Sequence, residues 1–392
     1  MEGPEDRCRT LIRGTAQVLS EKELLDKLRQ KRPLRIKLGV DPTSPDIHLG
    51  HTVGLSKLRQ FQDMGHHAVL IIGDFTAMIG DPSGRSATRP QLSHDQVMDN
   101  AKTYREQAMK ILDEEKTQTV FNGEWFEMMH FEQVIHLNSR VTLQQMLQRE
   151  DFRQRIETGQ PIHAHEIQYP IMQGWDSVMI RSDVELGGTD QLFNILVGRD
   201  LQKEEGQEQQ VAMLLPILEG LDGKQKMSKS LKNYVGVAEA PDTMFGKVMS
   251  ISDELMCRWY EILLFEELDA KRHPMEAKKD LARRLVERFY DRATGKQAQE
   301  TFEKRFSQRK IEDSDVPQLA IGQLDQQDVV SVVVQAYTQI FGIKKSRTEA
   351  RRLVEQGSVR WNGEKVSDPN AQPKWADQGV LKLDKVRAVK LS

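Results

Sequence analysis

The sequence predicts an α/β fold built on a parallel sheet, and three observations carry that prediction. Residues 34–40, 68–72 and 211–215 are short runs rich in branched apolar residues, as buried strands are. Between them apolar residues recur at helical spacing, as at Val53, Leu55, Leu58, Phe61 and Met64. Strands alternating with helices form parallel sheets with helices on their faces. Loops rich in glycine and proline, carrying His, Asp and Lys, follow these strands, at the edge where such sheets bind ligands.

Length and composition bound the rest. A chain of 392 residues has room for two or three domains and a real core. Its net charge of −3 is that of an ordinary soluble protein. Cys8 and Cys257 lie too far apart to suggest a disulfide framework, which fits a reducing compartment. No apolar run reaches membrane-spanning length, and the acidic start Met-Glu-Gly-Pro-Glu-Asp lacks the features of a targeting peptide. The expected location is the cytoplasm, with no membrane partner.

Taken in order, the chain opens with a helix after Ser20, capped with Glu23 and bearing Leu24, Leu25 and Leu28. The first strand then leads through Asp41-Pro-Thr43 into His48-Leu-Gly-His51, the first turn of the next helix, which Gly65 stops. A helix N-terminus offers unpaired N–H groups and partial positive charge to an anion. His48 and His51, three apart, share a face. Gly50 leaves room beside them for a flat base. Histidines that only cap the helix are the plainer reading. A metal site lacks a third ligand at suitable spacing, so none is expected.

The strand 68–72 runs into Gly73-Asp-Phe-Thr-Ala-Met-Ile-Gly-Asp-Pro-Ser-Gly84, where Asp74 and Asp81 could hold an ammonium group. Ser93 with Gln96 caps a helix without assigned chemistry. If residues beyond Pro170 are helical, Tyr169, Gln173 and Asp176 fall on one stripe, beside Trp175. Residues 183–191 read as a strand entering a glycine turn that delivers Asp190 and Gln191. After the last strand, Lys226-Met-Ser-Lys-Ser230 forms a mobile cationic loop, suited to closing over a triphosphate.

His48-Leu-Gly-His51 and Lys226-Met-Ser-Lys-Ser230 resemble the two signatures of class I aminoacyl-tRNA synthetases. Gly80-Asp-Pro-Ser-Gly84, Tyr169-x₃-Gln173-x₂-Asp176 and Gly187-Gly-Thr-Asp-Gln191 narrow the resemblance to the bacterial-type tyrosyl-tRNA synthetases, in that family's order and over nearly the whole chain. The resemblance implies a Rossmann-like nucleotide-binding catalytic domain at 1–235, a helical anticodon-stem domain at 236–306, a linker at 307–328, and a small α+β RNA-binding domain at 329–392. It implies a ligase that joins L-tyrosine to tRNA(Tyr) with ATP and Mg²⁺ as the substrate complex, without a tightly bound cofactor, working as a homodimer. Thr43 and His48 would meet the ATP phosphates and His51 the ribose side, with Gly39, Asp41 and Gly50 around the nucleotide. Lys226 and Lys229 would clamp the leaving pyrophosphate. Asp81, Tyr169 and Gln173 would bind the tyrosine ammonium and Asp176 its phenol. Gln191 and Asp190 would face the carboxylate and the adenylate ribose. Lys37 stands where many relatives have a tyrosine that contacts the phenol, and is placed in the tyrosine site.

Two further regions fit an RNA partner. Leu281, Leu285, Val286 and Phe289 mark a helix carrying Lys278, Lys279, Arg283, Arg284 and Arg288, which suit either tRNA phosphates or a solvated surface. From Ile343 to Lys390 there are 12 Lys and Arg against 6 Asp and Glu, a surplus of +6 that leaves −9 for the remainder. A basic module on an acidic body suits nucleic acid. Its helix carries Lys345, Arg347, Arg351 and Arg352, and Asn362-Gly363 predicts a hairpin. The module resembles the fold shared with ribosomal protein S-four. A tryptophan-activating sister enzyme and a catalytically silent RNA-binding paralogue are the rivals. The terminal module argues against the first, and intact His48, His51, Lys226 and Lys229 argue against the second.

Overall fold

The computed structural model describes residues 3–43, 46–83, 92–269, 271–307, 316–320, 328–372, 375, 379–384 and 387–391. Met1–Gln299 form one compact unit and Glu300–Ser392 a second. The first is centred on a six-stranded sheet of β1 (Gln17–Leu19), β2 (Arg35–Val40), β3 (His67–Ile72), β4 (Thr117–Phe121), β5 (Val184–Gly188) and β6 (Val211–Leu215). Their spatial order is β1-β6-β5-β2-β3-β4. All neighbours pair in parallel except β1, which runs antiparallel to β6.

Strands β3 and β6 are buried along almost their whole length, so both faces of the sheet are covered. The chain leaves β2 toward β3 and β4, then returns to place β5 on the other side of β2. That reversal opens a crevice at the carboxyl ends of β2 and β5.

Helix Leu49–Asp63 follows β2 with His48 as its N-cap, and it buries Val53, Leu55, Leu58 and Phe61. Gly65 ends it at φ +91°, in the left-handed region glycine tolerates. Helix Ala164–Met179 precedes β5 and packs against helix Leu192–Glu204. The approach is close: a Cβ on Gly174 would fall 3.0 Å from the Gly198 nitrogen.

The helical segment expected at 236–306 packs into this same unit through residue 299. Its helices include Pro241–Met249, Asp253–Leu264 and Pro274–Phe289. Arg288 points inward and donates to Ser56 Oγ and the Leu263 carbonyl. Lys278, Lys279, Arg283 and Arg284 pair with Asp253, Glu276, Asp280 and Glu266. An ion-paired surface therefore describes that helix face.

The second unit holds a sheet of β7 (Gln318–Leu319), β8 (Arg360–Trp361), β9 (Glu364–Lys365), β10 (Val380–Lys382) and β11 (Ala388–Leu391), ordered β7-β11-β10-β8-β9. Helices Val329–Gln335 and Arg347–Glu355 close its core around Val332, Tyr337, Ala350, Val354, Leu381 and Val389. Asn362 and Gly363 both have positive φ, as the predicted hairpin turn requires. The expected linker needs correction. Residues 308–315 and 321–327 lie outside the described residues, but Gln318–Leu319 pairs with β11 and buries Leu319.

Candidate active site

Two adjoining cavities open at the β2/β5 crevice. The first, about 280 Å³, is lined by Gly39, Asp41, Thr43, His51, Asp81, Asn122, Tyr169, Gln173, Asp176, Glu185 and Gln191, among others. The second, about 470 Å³, is lined by Thr43, His48, Gly50, His51, Asp190, Lys226, Ser228, Lys229 and Ser230, among others. Thr43, His51, Gly187 and Gly188 border both.

The His48–His51 turn is a reciprocal cap. Gly50 N donates to His48 Nδ1 at 3.2 Å, and His48 N donates to His51 Nδ1 at 3.2 Å. An Nδ1 that accepts leaves the proton of a neutral imidazole on Nε2, so each ring offers an N–H outward. Burial, reinforced by His51 and Lys229, pushes His48 down to about 3. The crowded surroundings and Lys229 take His51 to about 4. Both rings are therefore neutral at pH 7. The rings stack with centroids 3.8 Å apart. A Cβ on Gly50 would fall 2.9 Å from His48 Cε1, so glycine is needed here to seat that ring.

Opposite lies the Lys226–Ser230 loop, where Lys229 Nζ reaches Asp46 Oδ2 at 3.2 Å. Asp190 has its carboxyl raised by burial and by Asp81. The second cavity thus combines neutral N–H donors, two ammonium groups and the hydroxyls of Thr43, Tyr104, Ser228 and Ser230, a donor set matched to phosphate oxygens.

The first cavity has the opposite character at one end. Asp81 Oδ1 accepts from Ser83 N and Oγ at 2.8 and 2.6 Å, and Oδ2 accepts from Gln191 Nε2 at 2.8 Å. Tyr169 OH donates to Asp41 Oδ2 at 2.8 Å, which leaves its oxygen able to accept. Gln173 Nε2 donates to Glu185 Oε1 at 3.1 Å, and Gln173 Oε1 accepts from Asn194 Nδ2 at 2.8 Å. Acceptors converge here, as an ammonium group requires.

At the other end Asp176 Oδ1 accepts from Trp125 Nε1 at 3.0 Å and Oδ2 from Asn122 Nδ2 at 3.3 Å. Burial pushes its carboxyl up to about 7 against the pull of Lys37 and these donors.

Most expected residues meet here, with corrections for Lys37 and Asp74. Lys37 lines neither cavity: it is fully buried, with Nζ 2.9 Å from Glu185 Oε1 and 2.7 Å from the Gln173 carbonyl. Its ammonium faces the packing between β2 and helix Ala164–Met179 rather than either cavity. Asp74 is also turned away, accepting from Phe75 N and Gly123 N at 3.0 and 2.7 Å. Gly39 and Asp41, expected around ATP, line the first cavity, and Asp41 is occupied by Tyr169 and Thr76. Gly84 lies outside the described residues.

Five contributors escaped the sequence reading: Asn122, Trp125, Arg149, Glu185 and Asn194. Arg149 stands behind the first cavity's lining, donating to Asn194 Oδ1 at 2.9 Å and to Ser83 Oγ, the partners of Gln173 and Asp81. A signal existed for Glu185, because a glutamate inside an apolar parallel strand calls for a partner, and Lys37 is its in-register neighbour.

In the basic module Arg347, Arg351 and Arg352 are exposed on helix Arg347–Glu355. Arg347 donates to Ser331 Oγ and Arg351 to Asn370 Oδ1, while Lys345 sits over the Tyr337 ring. Among the described residues no three His, Cys, Asp or Glu side chains cluster to hold a metal, and no helix is long and apolar enough to cross a membrane.

Comparison with known proteins points the same way. Residues 29–307 match the family model for class I tRNA synthetases (W and Y), and 308–379 match the SYY-like C-terminal domain of tyrosine–tRNA ligase. Tyrosine–tRNA ligase of Aquifex aeolicus is 50% identical over 375 residues, covering 94% of each chain. That of Haemophilus influenzae is 49% identical over 368 residues, covering 91% of this chain and 90% of its own. A C-terminally truncated mitochondrial tyrosyl-tRNA synthetase from Aspergillus nidulans superposes with a TM-score of 0.65 at 19% identity, covering 78% of this chain and 95% of that one. The tyrosyl-tRNA synthetase of Archaeoglobus fulgidus gives 0.60 at 21%, covering 76% and 100%. At such identities these likenesses speak for the fold.

Proposed function

Since the chain belongs to the tyrosine–tRNA ligase family of class I synthetases, we propose that its two cavities divide the first reaction between them. The family's reaction activates L-tyrosine with ATP to tyrosyl-adenylate and pyrophosphate, then passes the tyrosyl group to the 3′ end of tRNA. In the reading proposed here tyrosine occupies the first cavity and ATP the second. The observation that carries it is the shared border at Thr43, His51, Gly187 and Gly188. A carboxylate leaving one chamber meets an α-phosphorus in the other.

The chemistry then needs no protein nucleophile. The tyrosine carboxylate is already anionic at neutral pH and attacks the α-phosphorus in line, and the bond to the bridging oxygen of pyrophosphate breaks. The site aligns the partners and stabilises charge on the transferring group. His48 and His51 donate their Nε2–H groups to phosphate and ribose oxygens. Lys226 and Lys229 balance the growing charge on pyrophosphate, and Mg²⁺ enters with ATP as part of that substrate. Asp81, Tyr169 and Gln173 accept from the tyrosine ammonium, and Asp176 accepts from the phenol. A buried acceptor with no donor to meet is costly, so phenylalanine is rejected, an effect for which tyrosine enzymes are the type example.

Two more proposals follow from the surface. Met128, Phe131, Ile135 and Leu143 are 76%, 78%, 55% and 56% exposed, a run of apolar side chains suited to a second copy of the chain in a homodimer. Arg347, Arg351, Arg352 and Lys345 suit the tRNA backbone, and the cytoplasm is the expected compartment.

The test is a crystal structure with tyrosine and a non-hydrolysable ATP analogue. The phenol on Asp176, with phosphates between His48 and Lys229, is expected. Tyrosine lodged elsewhere, or phosphates away from both signatures, contradicts the division.

A further inference from the structure

Lys37 on β2 and Glu185 on β5 are in-register neighbours beneath the first cavity, 0% and 1% exposed, with Nζ and Oε1 2.9 Å apart. Each saturates the other's surroundings. Lys37 spends its three donors on Glu185, the Gln173 carbonyl and Ser177 Oγ, the last two at 2.7 Å. Glu185 accepts from Lys37 and Gln173 on Oε1, and from Ser177 and Gln210 on Oε2. That is a carboxylate's full complement of acceptor sites.

An acceptor-only neighbour dictates how the Gln173 amide lies. Its NH₂ must face Glu185, so its carbonyl oxygen turns the other way, where Asn194 uses one lone pair and the cavity receives the other. A substrate ammonium has only donors to offer. With the amide reversed, NH₂ would confront that ammonium and Asn194 Nδ2, and the Gln173 oxygen would face Glu185 Oε1, acceptor against acceptor.

We propose that the buried Lys37–Glu185 pair is a positioning device that sets the hydrogen-bond polarity of the tyrosine pocket, turning the Gln173 oxygen toward the substrate ammonium. This rests on the placement of tyrosine proposed above. It gives Lys37 a role without contact: the cation fixes the carboxylate, the carboxylate fixes the amide, and the amide reads the ammonium.

The experiment uses the full chain and tyrosine-dependent ATP–pyrophosphate exchange, with 3-(4-hydroxyphenyl)propionate, which lacks the amino group, as a competitive inhibitor. In E185Q the KM for tyrosine is expected to rise about 10- to 100-fold, the range for one hydrogen bond to a charged group. The KM for ATP and the inhibition constant of the amine-free analogue are expected to stay within about twofold, the ammonium bond being the one contact changed. K37M should show the same selective loss, since without the cation nothing holds the Glu185 carboxylate in place against the Gln173 amide. The exchange of places in Q173E/E185Q restores the polarity and should recover most of the lost tyrosine affinity. Equal weakening of tyrosine and the analogue would mean a pocket merely deformed and would overturn the proposal, as would an unchanged KM or no recovery in the double variant. Wild-type enzyme run in parallel separates the two levels: no tyrosine-dependent exchange there would remove the placement of tyrosine itself.

Discussion

In the proposed reading Asp176 serves recognition at a cost to the fold. Its carboxyl is pushed up to about 7 because burial opposes the charge more than Lys37, Asn122 and Trp125 support it. A carboxyl raised in the folded state contributes its stability below the unfolded value near 3.8 and loses it as pH rises through about 7. The ionised form, the one proposed to accept from the phenol, is therefore the destabilised one. Thermal unfolding of D176N and wild type should diverge between pH 5 and pH 8, the variant gaining several degrees relative to wild type at the higher pH. A difference independent of pH would contradict the assignment. D176N should also lose tyrosine activation, since an amide placed among donors no longer presents an anion to the phenol. At this scale much was legible: Tyr169, Gln173 and Asp176 share a face because helical spacing fixes it. Asp74 and Asp81 were not separable, because two aspartates in one loop differ only in which way the chain turns.

At the level of elements, the site is held by side chains that bridge segments far apart in sequence. Arg149, at the start of helix Glu150–Glu157, reaches Asp151, Ser83 beside Asp81, and Asn194 on helix Leu192–Glu204. Removing it leaves buried acceptors on Ser83 and Asn194, and the nearly buried Asp151, unmatched. R149M should lower stability by about 3 kcal/mol in denaturant unfolding and raise the KM for tyrosine more than that for ATP. An equal effect on both substrates would show that Arg149 acts on the fold alone. Such bridges explain why Arg149, Asn194, Asn122 and Trp125 escaped the sequence. Periodicity reports which face a residue occupies, but not which loop will arrive opposite it. Three-residue β1 escaped for another reason, since its edge pairing with β6 comes from tertiary contact rather than a strand-length apolar pattern. The same is true of β7, two residues within a polar stretch.

For the whole molecule, two surfaces outside the cavities carry the proposals about partners. Reversing charge in R347E/R351E/R352E should lower kcat/KM for tRNA by more than about tenfold and flatten its salt dependence, while exchange without tRNA is unaffected. Unchanged charging would place the RNA contact elsewhere. F131D/I135D should convert a dimer to monomers in sedimentation experiments, and a wild-type monomer at micromolar concentration would contradict the homodimer. The alternation of strands and helices, and the charge surplus of the terminal module, made the layout readable from composition and period. Where the units divide was less so, because the helical segment is amphipathic in its own right and yet packs into the first unit.

The central claim, that the two cavities activate tyrosine with ATP, meets its most direct test in ATP–pyrophosphate exchange with each amino acid in turn and no tRNA present. Exchange with tyrosine alone, and none with phenylalanine at comparable concentration, is the predicted result. Exchange driven by tryptophan, or none with any amino acid from well-folded protein, would contradict it.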